Sequence, residues 1–388
     1  MSWPLVKLKE VATLINGRAY KKHELLDSGK YTVLRVGNFF SNRGWYYSDL
    51  ELQDKHYCDN GDLLYAWSAS FGPRIWEGGK VIYHYHIWKL ELDETRVHKK
   101  YLYYALANDV ENIKREQGTG STMIHVTKAA MEEREIPLPP LEEQKRIVAI
   151  LDKADGIRRK RQQAIQLADD FLRSVFLEMF GDPISNPKKW RVVKLEQLVS
   201  DKKDIVDGPF GSSVNTKVDY VENGEIPVIR TKNVSPNGEF ITDDLKFMTR
   251  EKFDTVRRSE VLPGDVVLTK VGTIGNVMIL PQSCKQAVLS TTGSCRIRLN
   301  QELIEPKYFF HFLKLYKPKM LQIAAEGVQP FLNMKHIKGF DVPLPEICVQ
   351  KAFVKRCEQL EQIVALKKQA LASKLPDSLT QKAFSGQL

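Results

Sequence analysis

Between residues 147 and 179 the apolar positions recur in alternating steps of four and three: Ile147, Leu151, Ala154, then Ile165, Ala168, Leu172, Val175 and Met179. Arg158 and Arg161 occupy the two steps in the middle, so the stripe is apolar at both ends and charged at its centre. A seven-residue repeat of this kind predicts a long helix whose seam faces another helix. The same register returns at Phe353, Cys357, Leu360, Val364 and Leu371, with Lys367 and Lys374 as its polar interruptions. Arg161 and Lys367 fall at matching positions, so two helices of one chain can pair along these seams. At about 1.5 Å per residue, a helix of roughly 35 residues spans about 50 Å. The alternative is that each helix closes the core of its own domain. The length of the first seam and the charged run Arg158-Arg159-Lys160-Arg161 favour pairing. Pro376 should kink or restart the second helix before Ala383-Phe384-Ser385-Gly386, which echoes Met179-Phe180-Gly181-Asp182.

Both helices follow a Pro-Leu-Pro segment, where the residue before each proline is pushed out of helical geometry. Ile136-Pro137-Leu138-Pro139-Pro140 with Gln144-Lys145 returns as Val342-Pro343-Leu344-Pro345-Glu346 with Gln350-Lys351, 206 positions later. Upstream, Trp3 with Val6-Lys7-Leu8 matches Trp190 with Val193-Lys194-Leu195, and Gly61-Asp62-Leu63-Leu64 matches Gly264-Asp265-Val266-Val267. The order is kept while the shift grows, which points to a duplicated unit of one globular domain and one long helix. The predicted division is a domain over 1–140, a helix over 141–182, a second domain over 183–345 and a second helix over 346–388.

Within the globular parts, short apolar runs predict strands at 33–36, 80–83, 87–90, 228–230, 266–268 and 294–298, with helices at 99–108 and 307–314. No regular alternation of strand and helix emerges, so the class is α+β.

Composition narrows the partner. The net charge is +10, but residues 1–182 carry 27 basic and 26 acidic side chains against 31 and 22 for residues 183–388. The second half therefore favours a polyanion. No apolar run approaches a membrane span, and the opening residues carry no signal-peptide pattern, so no membrane and a cytoplasmic location are expected. The five cysteines, Cys58, Cys284, Cys295, Cys348 and Cys357, form no metal-finger spacing and read as reduced packing residues.

Motifs for catalysis are missing. The phosphate-cradling loop, the dinucleotide fingerprint, the nucleophile elbow and the zinc-protease pair are all absent from the sequence, so no catalytic residue and no metal ligand is assigned. Glu142-Glu143 fits the first turn of a helix, where the macrodipole favours acids. His84 and His86 should share one face of a strand as packed or surface side chains. What remains is recognition chemistry on loops: Arg, Lys, Asn, Gln, Ser and Thr can bond both base edges and phosphates. The candidate DNA contacts are Arg18, Lys21, Lys22, Trp67, Ser68, Arg74, Arg115, Thr119 and Ser121 in the first half. In the second half they are Ser212, Ser213, Arg230, Lys232, Asn233, Lys270, Thr273 and Gln329. For helix pairing the candidates are Ile147, Leu151, Arg161, Ile165, Leu172, Phe353, Leu360, Val364, Lys367 and Leu371.

Taken together, Ile136 through Gln144 leading into a helix, its second copy, Gly61 through Ser70, Gly208 through Ser212, and Gly264 through Gly275 resemble the specificity subunit of type I restriction-modification systems over essentially the whole chain. That resemblance implies two target recognition domains, held apart by two long antiparallel helices in a coiled coil and related by a pseudo-twofold repeat. Each domain would read one half of a bipartite, asymmetric double-stranded DNA target. It also implies two methyltransferase subunits docked on the helices and motor-nuclease subunits beyond them. S-adenosylmethionine, ATP and Mg would sit on those partners, with no cofactor bound by this chain. Glu346-Ile347-Cys348-Val349 replaces the family's usual acidic pair in the second copy. A self-contained DNA methyltransferase or nuclease would show activity in the isolated chain, and a tandem-domain scaffold would bind protein independently of salt.

Overall fold

The computed structural model describes residues 3–41, 44–68, 71–117, 125–325, 330–372 and 379–387, with backbone alone at 41, 364–372 and 379–381. They form two compact units, one of residues 1–162 with 368–388 and one of residues 163–367.

The first unit opens with β1 (Leu5–Lys7) and β2 (Ala12–Asn16), then β3 (Tyr31–Leu34), the short helix α1 (Val36–Ser41) and β4 (Tyr46–Ser48). It continues through β5 (Tyr57–Cys58), β6 (Leu63–Ala66), β7 (Gly72–Ile75), β8 (Val81–Tyr83) and β9 (Ile87–Leu92). Helices α2 (Lys99–Gln117) and α3 (Lys128–Glu132) lead to β10 (Glu135–Pro137) and α4 (Leu141–Phe180), whose second half belongs to the other unit. Two four-stranded sheets result, ordered β2-β9-β6-β7 and β4-β3-β8-β5, while β1 pairs antiparallel with β10. All pairings are antiparallel except β3 with β8.

The second unit repeats this plan. It contains β11 (Val192–Lys194), β12 (Ile205–Asp207), β13 (Ile226–Ile229), β14 (Lys246–Met248), α5 (Arg250–Thr255), β15 (Glu260–Val261), β16 (Val266–Thr269) and β17 (Val277–Ile279). Next come β18 (Ala287–Leu289), β19 (Ser294–Ile297), α6 (Pro306–Ala324), α7 (Met334–Lys338), β20 (Asp341–Pro343) and α8 (Ile347–Ala372). Its sheets run β12-β19-β16-β17 and β14-β13-β18-β15, with β13 and β18 as the parallel pair. The last described helix, α9 (Leu379–Ser385), belongs to the first unit.

The duplicated sequence motifs now have physical reasons. Gly61 and Gly264 adopt φ of 88° and 89°, the left-handed region that glycine enters freely. The following Asp62 and Asp265 accept backbone N–H bonds from Asp59 and Leu262, at 2.9 and 2.7 Å, which closes the turn. The strand after each turn is buried on both faces, hence the unbroken apolar run. Leu63 and Tyr65 enter the core beneath the helices, whereas Leu64 and Ala66 enter the core between the sheets. Gln144 is fully buried one turn into α4: its Oε1 accepts from His98 N at 2.8 Å, and its Nε2 donates to Arg96 O at 2.9 Å and Pro139 O at 2.8 Å. Gln350 repeats that clamp, with Glu305 N donating at 2.9 Å and Nε2 donating to Leu303 O and Pro345 O at 3.3 and 2.8 Å. Buried Tyr101 and Tyr308 donate to Pro137 O and Pro343 O, each at 2.7 Å. Proline supplies carbonyls but no N–H, so the Pro-Leu-Pro segments are held by side chains that reach those carbonyls.

Each end of α4 packs in a different unit. Ile147, Val148 and Leu151 join the core of the first, with Ala383 of α9 beside them. Leu172, Val175, Phe176 and Phe180 join the core of the second, where Phe353 meets Phe176 and Phe180 edge-on at 5.5 Å. The end of α4 thus meets the start of α8. Trp3 Nε1 donates to Ala383 O at 3.1 Å, as Trp190 Nε1 donates to Phe180 O at 3.0 Å, so the two tryptophans clasp equivalent helix ends. Arg161 is exposed and Ile165 half-buried, so the charged centre of the seam stays in solvent. Val364, Lys367 and Leu371 have no described side chains, and Pro376 lies outside the described residues.

Some expectations need correction. His84 and His86 lie in the turn after β8 rather than on a strand, and Val36 begins α1 rather than ending a strand. Helix α2 runs on to Gln117, so Arg115 sits on a helix and not in a loop. Helix α6 continues through Pro318 because Tyr316, Met320 and Ala324 stay buried beneath it. Cys348 is exposed, unlike buried Cys58, Cys295 and Cys357.

Candidate functional site

In each unit one set of backbone hydrogen bonds gathers five chain segments at the ends of the strands. Gly17 N donates to Ile87 O at 3.1 Å, and Gly208 N to Ser294 O at 3.2 Å. His84 N donates to Leu34 O at 2.9 Å, and Ser290 N to Ile229 O at 3.0 Å. Trp67 N donates to His86 O at 3.1 Å, and Lys270 N to Gly293 O at 2.8 Å. Val126 N reaches Trp67 O at 3.3 Å, and Leu332 N reaches Lys270 O at 3.1 Å. Glycine is required at the first crossing: a Cβ on Gly17 would lie 2.4 Å from His84 O, and one on Gly208 would lie 2.0 Å from Thr291 O. Both distances are far inside van der Waals contact.

On this shared frame the side chains differ almost completely. In the first unit the residue after β6 is Trp67, which stacks on Trp88 at 5.7 Å and donates from Nε1 to Tyr85 O at 2.9 Å. His86 meets it edge-on at 4.9 Å, and His84 lies 4.9 Å from His86. Burial, then the neighbouring His86 and Arg35, push the His84 imidazole down to about 4, and burial with His125 nearby lowers His86 as well. Both rings are therefore neutral at pH 7, and each offers one donor and one acceptor nitrogen. Arg18 holds Glu24 in a two-pronged pair at 3.1 and 2.7 Å and lies over Tyr20 at 5.3 Å. Arg18, with the backbone N–H of Lys21, keeps the Glu24 carboxyl down at about 2.

In the second unit Lys270 takes the place of Trp67 and Asp207 that of Asn16. Lys270 Nζ lies 3.3 Å from Asp207 Oδ2, and both are almost enclosed, so each charge depends on the other. Hydroxyls and glycine replace the histidines: Ile229, Arg230, Thr231, Lys232, Ser290, Thr291, Gly293 and Ser294 line a cleft of about 400 Å³. The Ser294 hydroxyl is buried without a hydrogen-bond partner among the described residues. Lys232, and after it Lys246, hold the Asp244 carboxyl down at about 2.

The structure gathers Arg18, Trp67 and Ser68 on the first face and Arg230, Lys232 and Lys270 on the second. Lys21 and Lys22 are exposed on the turn beyond Arg18, Ser212 and Ser213 on the turn beyond Gly208, and Thr273 between β16 and β17. Others lie elsewhere. Arg74 donates to Phe39 O and lies over the Phe39 ring, and Arg115 donates to Asn112 on its own helix. Asn233 is fully buried, with both amide atoms bonded inside its loop, so it shapes the surface rather than facing a partner. Thr119, Ser121 and Gln329 lie outside the described residues. Reading the sequence missed Arg35, His125 and Tyr85; for Arg35 the signal was available, because Arg35-x-x-Asn38 recurs as Arg230-x-x-Asn233. Among the described residues no group of three or more His, Cys, Asp or Glu is placed to hold a metal ion, and no helix is long and apolar enough to cross a membrane.

These features define a class: an internally duplicated protein in which one backbone frame carries two different contact faces. Within that class, the chain belongs to the type I restriction modification DNA specificity domain family, whose model matches residues 2–167 and 187–375. It is 25% identical to the Escherichia coli type I restriction enzyme EcoBI specificity subunit, a match covering 100% of this chain and 86% of that protein. The MjaVIII specificity subunit of Methanocaldococcus jannaschii is 24% identical, with 80% of this chain and 74% of that protein covered. The fold is that of the type I restriction-modification S subunit crystal structure from M. genitalium, with a TM-score of 0.55 at 19% identity, over 99% of this chain and 96% of that one.

Proposed function

We propose that the chain is the DNA sequence-reading subunit of a type I restriction-modification complex, in which each unit reads one half of a split, asymmetric target. The observation that carries this is the pair of faces just described. A common frame with Trp67, Tyr85 and two neutral imidazoles on one copy, and a Lys-Asp pair with Ser and Thr hydroxyls on the other, presents two different donor and acceptor patterns to a duplex. One small face with a few base contacts, each worth about 1–3 kcal/mol, selects poorly among genomic sites. Joining two faces makes the second contact intramolecular and multiplies selectivity.

The long helices set the gap between half-sites, whose centres fall about one helical turn apart. The 40-residue α4 is about 60 Å long, enough to fix such a distance. Methyltransferase subunits dock along the helices, where Leu167, Phe171 and Ile363 stand exposed, and motor-nuclease subunits join the same assembly in the cytoplasm. This chain contributes recognition and no catalytic step; S-adenosylmethionine, ATP and Mg belong to the partners.

The test is selection of random duplexes by this chain co-purified with its modification partner. Two short, different half-sites separated by a fixed run of unspecified base pairs are expected. A single continuous motif would contradict the proposal. Adding one heptad to both α4 and α8 in register should lengthen the unspecified run; an unchanged run would remove the spacing role.

A further inference from the structure

Among the described residues almost every side chain differs between the two faces, yet one charged residue is kept at the same place in both. Arg35 directly follows β3 and Arg230 directly follows β13. Three residues on, Asn38 Oδ1 accepts from Arg35 N at 3.3 Å and Asn233 Oδ1 accepts from Arg230 N at 3.1 Å. The same amides reach forward, Asn38 Nδ2 to Gly44 O at 3.3 Å and Asn233 Nδ2 to Ile241 O at 2.8 Å. The backbone that presents each arginine is therefore built alike. The preceding residue, Leu34 or Ile229, offers the carbonyl that anchors the turn at His84 or Ser290, so each arginine is rooted beside a turn whose side chains differ between the copies.

Groups that read bases must differ when the half-sites differ. A group kept on both faces meets what both half-sites share, the sugar-phosphate backbone. The surroundings agree. Arg230 opens onto the cleft with Lys232 and the Thr231, Ser290 and Thr291 hydroxyls, the donors that phosphate oxygens accept from. Asp244 lies 3.5 Å from Arg230 and is shared with Lys232 and Lys246, so one carboxylate serves three cations while Glu222 offsets only Lys246. Arg35 lies over the Tyr46 ring at 4.9 Å, which steers the guanidinium without neutralising it.

We propose that Arg35 and Arg230 are equivalent phosphate contacts, one per half-site, that fix each face in register on the duplex without selecting its sequence. This rests on the DNA-reading function above. The test uses the full chain with its modification partner, a duplex bearing the target selected by the wild-type complex, and an unrelated duplex, titrated between 50 and 200 mM KCl. Losing one phosphate contact reduces the slope of log affinity against log salt by about 0.9. R35Q and R230Q should each show that reduction, so over this fourfold salt range each variant loses about 3.5-fold less affinity than wild type. Both duplexes should weaken by the same factor, and the double variant should show about twice the slope change. R35K and R230K, which keep the charge, should keep the wild-type slope. Thermal melting of each variant separates lost contact from lost fold. A changed base preference in either half-site, or a wild-type slope in the glutamine variants, would overturn the proposal. If the wild-type complex binds no duplex, the DNA-reading function fails first and this inference with it.

Discussion

Replacing Gln144 by alanine removes three hydrogen bonds at once from a site with no water access. The amide currently satisfies His98 N, Arg96 O and Pro139 O, at 2.8 to 2.9 Å, from a fully buried position. A net hydrogen bond contributes about 1 kcal/mol, and each buried polar group left unpaired costs about 1–3 kcal/mol. Partial relaxation offsets some of this, so Gln144→Ala should destabilise the first unit by about 3 kcal/mol. Because Gln350 makes the same three kinds of bond, Gln350→Ala should destabilise the second unit by a similar amount. Urea titration with hydrogen exchange read on peptides from residues 1–162 and 163–367 assigns each loss to its unit. Losses below about 1 kcal/mol in either variant, or a loss spread equally over both units, would refute the argument that these glutamines lock the Pro-Leu-Pro segments.

Gly208→Ala places a Cβ 2.0 Å from Thr291 O, and Gly17→Ala one 2.4 Å from His84 O, so backbone must move in both. Each should cost about 3 kcal/mol or more and abolish target selection in its own half, checked by unfolding and by duplex selection. His311, buried against Phe353 and 3.9 Å from Cys357 Sγ, has its imidazole pushed down to about 3 by burial and then by Lys314 and Lys307. A depressed histidine is neutral when folded, so the unfolded chain binds more protons once pH falls below about 6.5. Stability is thus complete above that pH and falls as pH drops towards 3, by up to about 2 kcal/mol between pH 6.5 and 5. Urea midpoints across that window should show the loss in the second unit, and His311→Phe should flatten it.

The paired helices, the duplication and the α+β class were legible because they rest on local spacing and on proline chemistry. What sequence could not supply depends on distant partners. The clasp of Trp3 on Ala383 joins residues 380 positions apart, and nothing local in either announces it. Phe176 and Phe180 fell outside the heptad seam because a helix end packed among Tyr308 and Phe353 buries a broader stripe than a two-helix seam does. Lys270 looked like a loop cation, yet it is enclosed against Asp207, a pairing that appears only when the strands bring those residues together. His84 and His86 looked like strand residues because Val81–Tyr83 runs into them, but the crossing at Gly17 turns the chain there. Arg35 was hidden by its context: a two-residue match inside an apolar run carries little weight until its hydrogen bonds are seen to repeat.

The most direct test maps methylated bases in cells that carry this chain with its modification partner, comparing wild type with Tyr85→Ala and Thr291→Ala. These residues sit on equivalent turns, after β8 and after β18, each on its own face. Tyr85→Ala should relax bases in one half of a split motif only, Thr291→Ala should relax the other half only, and the distance between halves should stay fixed in both. A motif whose two halves change together, or that neither substitution alters, would contradict the proposed function.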